Sequence, residues 1–172
     1  MSYSLIGGAD GPTSVFIAGR LGVDWINIMG IAIVVLILLP NIVYAVKFRG
    51  VTNKCTNKIM NLLEQIGRYG AMIFMVFNIG LVEFGFPSVG AFLIYLIGNV
   101  ALLLAYWIIW LLYFARQKLW KSMALAIIPT MIFFISGMTL LHIPLIICAV
   151  IFGVGHIYVT YKNTKASSVQ EI

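Results

Sequence analysis

The sequence predicts an all-α polytopic membrane protein: a bundle of five transmembrane helices with the N-terminus outside and the C-terminus in the cytoplasm. Three observations lead there. Of 172 residues, 62% are apolar and 9% charged, whereas a soluble domain is about 45–50% apolar and roughly 25% charged. The apolar residues gather in runs long enough to cross a hydrocarbon core of about 30 Å, and mean hydropathy is +1.06. The basic residues sit in short tracts between alternate runs. A chain this small is mostly surface, so its apolar excess has no soluble interior to fill. A soluble enzyme, a disordered tail and a disulfide-stapled module are excluded.

The first 24 residues form a Gly-rich tract with a short helix. The membrane domain then covers 25–161, with helices expected over 25–46, 59–83, 89–115, 122–140 and 143–161, before a short cytoplasmic tail over 162–172. Short links join them, as suits neighbouring antiparallel helices. Pro40 and Pro129 fall inside the first and fourth runs and predict kinks, tolerated where neighbours satisfy the freed carbonyls. Tyr44 and Tyr113 fall near helix ends, where aromatic rings sit at the interface.

Orientation follows from charge. Lys47, Arg49, Lys54 and Lys58 follow the first run, Arg116, Lys118 and Lys121 the third, and Lys162 and Lys165 the fifth. With five crossings all three tracts share one side, which the positive-inside rule makes cytoplasmic. Orientation accounts for the formal charge of +6 without a nucleic-acid partner. The expected surroundings are a lipid bilayer, a bacterial plasma membrane crossed several times, with other membrane subunits or further copies of the chain as partners. Cys55 and Cys148 lack metal-ligand spacing and read as free thiols.

Polar residues at membrane depth are costly and each needs a reason. Glu64, Arg68 and Asn78 fall on one face of the second helix, and the Glu64-to-Arg68 spacing and order suit a helical ion pair. That pair either holds the helix in register near the inner interface or lines a cavity. Asn99, in the middle of the third helix, needs a partner on another helix, and Asn78 is a candidate. His156 follows Gly153 and Gly155, small residues that permit close helix approach. It is read either as a neutral interhelical hydrogen-bond group or as a proton relay with Glu64. No nucleophile–base set and no metal pattern stands out.

The stretch Gly7-Gly8-Ala9-Asp10-Gly11-Pro12-Thr13 carries the remaining signal. Its glycines free the backbone for close approach, Asp10 is placed to cap a short helix, and Pro12 is tolerated in a first turn. A carboxylate beside exposed carbonyls at a chain break can hold a hard cation. The segment resembles a signature of the beta subunit of sodium-translocating decarboxylases. The resemblance covers about a dozen residues, and it implies Asp10 as a sodium ligand, with Gly7, Gly8, Gly11 and Thr13 shaping the break. In that family the motif lies mid-chain; here it opens the sequence.

The reading that results is a small accessory membrane subunit with an ion-linked N-terminal site, sodium being the only cofactor implied. The alternative is a non-catalytic scaffold or regulator that docks a larger complex through the same tract. An intramembrane enzyme is the third reading.

Overall fold

The computed structural model describes residues 26–48, 53–77 and 86–168. The N-terminal tract with Gly7, Gly8, Asp10, Gly11 and Thr13, and also Asn78, lie outside the described residues. Five helices follow one another: α1 (Ile28–Lys47), α2 (Lys58–Val76), α3 (Val89–Ala115), α4 (Leu119–Thr139) and α5 (Ile143–Ser168). The one non-helical pairing among the described residues is an isolated antiparallel bridge between Ile26 and Phe77.

Four of the five, α1, α3, α4 and α5, are long and apolar enough to cross a membrane. The exception is α2, whose apolar run is interrupted by Asn61, Glu64, Gln65 and Arg68.

Local chemistry sets the boundaries. Side-chain oxygens of Asn27, Asn57 and Ser88 accept hydrogen bonds from first-turn N–H groups of α1, α2 and α3, each satisfying an otherwise orphaned donor. The second helix was expected to reach residue 83 but stops at Val76. Phe77 turns extended there and pairs with Ile26, while the Asn27 N–H donates to the Val76 carbonyl at 2.8 Å. Those bonds tie the start of α1 to the end of α2.

Between α4 and α5 the chain reverses through a left-handed residue, Leu141 (φ 52°). The His142 N–H bonds back to Gly137 O at 2.9 Å and the Leu141 N–H to Met138 O at 3.3 Å, the paired closure of a Schellman cap. Helix α4 begins at Leu119 rather than Ser122, and α5 continues to Ser168 beyond the expected end at 161.

Lys121, placed by the sequence in the basic link before the fourth helix, lies inside α4 and is buried. Its Nζ donates to Leu112 O at 2.6 Å and Arg116 O at 3.0 Å. A cation there meets the negative end of the α3 dipole and fills unsatisfied carbonyls.

Pro40 lies inside α1 and deprives the carbonyl one turn earlier, Leu36 O, of its helical donor. The indole N–H of Trp107 on α3 donates to that oxygen at 3.1 Å, a neighbour restoring what proline removed. Nearby, Tyr44 packs at 5.4 Å from the Trp110 ring and 5.8 Å from Tyr113, so it joins α1 to α3 as well as marking a helix end.

The helices form a ring. Helix α1 touches α2 and α3, α2 runs against α5, α5 against α4, and α4 against α3. The α2–α5 seam is closest because glycines line it. A Cβ on Gly67 would lie 2.3 Å from the Phe152 backbone nitrogen, and one on Gly155 would lie 2.5 Å from the Glu64 backbone nitrogen. Small residues at such crossings let backbones approach. Ala71, Met75, Leu145 and Ala149 complete the buried stripe.

Candidate functional site

The glycine seam brings Glu64 on α2 to His156 on α5. The Glu64 Oε1 atom accepts from Arg68 Nη2 one helical turn away and lies 2.8 Å from His156 Nδ1. The carboxylate side chain is 11% exposed, His156 21% and Arg68 38%. A carboxylate so deep is tolerable because a guanidinium and an imidazole replace its water. The His156 ring stacks on Phe152 with centroids 4.7 Å apart and planes 14° apart, and the Arg68 guanidinium lies 5.9 Å from the same ring. Phe152 thus contacts both partners of the carboxylate.

Beside this cluster, at the centre of the ring, is a cavity of about 110 Å³ to which all five helices contribute. Arg68 and His156 form its charged wall and Asn41 and Tyr106 its neutral polar wall, with Ile37, Met72 and Phe133 among the apolar lining. Asn41 Nδ2 donates to Ile37 O at 2.8 Å and to the Tyr106 hydroxyl at 2.8 Å. Because that hydroxyl accepts from Asn41, its own hydrogen is directed elsewhere. A small, mostly apolar cavity with a few convergent polar groups is the usual form of a binding site.

Asn99 is engaged elsewhere. Its Nδ2 donates to Ser136 Oγ at 3.0 Å and to Tyr95 O at 2.8 Å, and Ser136 Oγ donates back to Asn99 Oδ1 at 3.2 Å. The partner is therefore Ser136 on α4, not Asn78. Both side chains are fully buried with their hydrogen bonds closed on each other, the form of helix–helix glue. Nearer the start of α1, Asn27 Nδ2 donates to the Tyr95 hydroxyl at 3.3 Å.

His142, in the turn between α4 and α5, is 5% exposed, and neither ring nitrogen has a hydrogen-bond partner among the described residues. Its ring lies 5.7 Å from Phe74. Burial holds its pKa below the ordinary histidine value, since the charged form loses water without gaining a counter-ion.

Of the residues singled out from the sequence, Glu64, Arg68 and His156 converge, Asn99 stands apart on another seam, and the N-terminal set lies outside the described residues. The cavity also draws on Asn41 and Tyr106. Asn41 is an amide inside an apolar run, the same signal that marks Asn99, but it stands next to Pro40. Tyr106 is indistinguishable in sequence from an ordinary packing aromatic. Among the described residues no group of three or more His, Cys, Asp or Glu is placed to hold a metal ion. No protein-family model matches the chain, and neither does any curated protein or solved structure.

Proposed function

We propose that the chain is a small accessory subunit of a bacterial plasma membrane, with α2 crossing beside the four apolar helices so that the N-terminus lies outside and the C-terminus in the cytoplasm, that responds to an ion and works with other membrane subunits or further copies of itself. The observation that carries this reading is the Glu64 carboxylate held between Arg68 and His156 across the α2–α5 seam, at the edge of a cavity. Ionisable side chains in such a position are functional by default. With His156 neutral the three groups sum to zero charge; a second proton on the imidazole makes them cationic. The seam they bridge has no slack, because Gly67 and Gly155 already bring backbones into contact. Protonation therefore biases how tightly α2 and α5 stay packed.

Cys148 reports on that seam, its Sγ lying 2.7 Å from where a Cβ on Gly70 would sit. With Cys55 replaced by serine, maleimide labelling of Cys148 is measured at pH 5.5 and 7.5, each rate divided by that of the same chain in SDS. The expected ratio changes several-fold between the two pH values and stays flat in His156→Gln. A ratio independent of pH, or one that changes equally in His156→Gln, removes the proton-linked reading.

The Gly7-to-Thr13 motif favours sodium as the ion sensed on the outer side, with Asp10 as ligand. Sodium chloride, against choline chloride at equal ionic strength, then raises the melting temperature of the wild type and not of Asp10→Asn. If the tract is instead a docking element of a scaffold, deleting residues 1–20 abolishes co-purification with a larger complex while Asp10→Asn leaves it intact.

A further inference from the structure

We infer that the central cavity binds a small oxyanion, a short-chain carboxylate in size and chemistry, through Arg68 and the Tyr106 hydroxyl. The inference deepens the proposed role of the Glu64 cluster by naming a ligand class beside it, and rests on that reading only in treating this site as functional.

Hydrogen-bond capacity points to an acceptor. Among the described residues Arg68 makes one side-chain hydrogen bond, from Nη2 to Glu64, leaving its other N–H donors for a second partner, since guanidinium accepts nothing. Tyr106 is 1% exposed and its oxygen accepts from the Asn41 amide, so its O–H hydrogen is left for an acceptor other than Asn41. Tyr106 and Arg68 line the same cavity. The His156 Nδ1 atom faces Glu64, and the imidazole itself lines the cavity. A fork of N–H groups and a hydroxyl is the chemistry that recognises carboxylate.

Size and lining narrow the class. A cavity of about 110 Å³ lies well below the roughly 300 Å³ at which sites for drug-sized ligands begin, which points to a ligand as small as acetate or propionate. Ile37, Met72 and Phe133 offer an apolar wall for the hydrocarbon end. Charge agrees: Glu64 and Arg68 cancel, so a bound carboxylate meets no net negative wall. Arg68 is partly exposed and Asn41 exposed, so the cavity reaches the surface of the bundle. The carboxylate can therefore be a soluble one or a lipid-borne oxyanion.

The test uses the full-length protein in phosphatidylcholine nanodiscs, titrated with sodium propionate, propionamide or sodium chloride at constant ionic strength, with melting temperature and calorimetry as readouts. Propionate is expected to bind saturably and raise the melting temperature, and propionamide to do neither. Tyr106→Phe, which keeps the ring and deletes the hydroxyl, weakens propionate about tenfold, and Val34→Phe, which fills the cavity from α1, abolishes binding. Equal effects of propionate and propionamide overturn the proposal, as does wild-type affinity in both variants. Should one variant misfold, the other decides. Repeating the titration with phosphatidylglycerol in the disc assigns the source: a lost propionate response means that the lipid phosphate holds the site, and an unchanged one means a soluble ligand. The labelling of Cys148 is read without propionate in chains that keep Val34 and Tyr106, so this result and the pH-dependent labelling stand or fall separately.

Discussion

Two polar clusters stitch helices together in this bundle, and they do so in opposite ways. Asn99 and Ser136, between α3 and α4, are neutral, fully buried and exchange hydrogen bonds with each other. Glu64, Arg68 and His156, between α2 and α5, are ionisable, two of them line a cavity, and Arg68 keeps donors that the described residues do not use up. The neutral pair is complete in itself, so its contribution ends with packing. The charged trio carries a proton-dependent charge and unused hydrogen-bond capacity, the two properties that a responsive site needs. The comparison separates polar glue from polar function by satisfaction, not by depth.

The strongest way to break one side of it alone is steric. Gly67→Val places a branched side chain where the Phe152 backbone lies, and no rotamer relieves a backbone clash. A stability loss of about 3 kcal/mol is expected, and the Glu64–His156 contact opens while Asn99–Ser136 stays closed. Chemical denaturation together with the rate of Cys148 labelling measures both parts; unchanged stability sinks the account of the glycine seam.

Asn99→Leu acts on the other side. Replacing an interhelical amide costs about 1–2 kcal/mol, and the pairwise coupling with Ser136→Ala in a double-mutant cycle is about 0.6 kcal/mol. The pH dependence of Cys148 labelling is expected to survive this substitution intact. If it disappears, the two clusters are one network and the contrast fails.

The smallest effect sharpens the picture at the α4–α5 turn. His142 is buried with neither ring nitrogen paired among the described residues, and its pKa in the fold lies below the value of 6.5 expected for an exposed histidine. The unfolded chain therefore takes up the proton first. The stability linked to His142 is complete above about pH 6.5 and is lost as pH falls from there toward the folded pKa. Between pH 7.5 and 5.5 the melting temperature of the wild type should fall by a few degrees more than that of His142→Phe. Equal slopes would place the acid sensitivity elsewhere.

The sequence and the structure agree most closely where one element suffices. The third helix was expected at 89–115 and is found as Val89–Ala115, because Ser88 caps its start and an unbroken apolar run follows. The helical ion pair of Glu64 and Arg68 is likewise readable from a spacing of four. The second helix misled where a distant segment intervened: Ile26, fifty-one residues earlier, pairs with Phe77 and ends it. Lys121 misled because its acceptors are carbonyls of the preceding helix, and a row of basic residues gives no sign of which one turns inward.

By itself, the amino-acid sequence determined the helical class, the five helices of the described residues and the apolar lengths of four of them, since helix formation and hydrocarbon matching depend on runs of neighbouring residues. It also marked which polar side chains would need partners. Only the tertiary structure decided who those partners are. Ser136 rather than Asn78 meets Asn99, His156 meets Glu64, and Trp107 serves the carbonyl that Pro40 strands. The reason is geometric: such pairings depend on how closely and at what height separate helices meet, and here that is set by glycines at 67 and 155 and by a ring of five helices that encloses a cavity no single helix encodes.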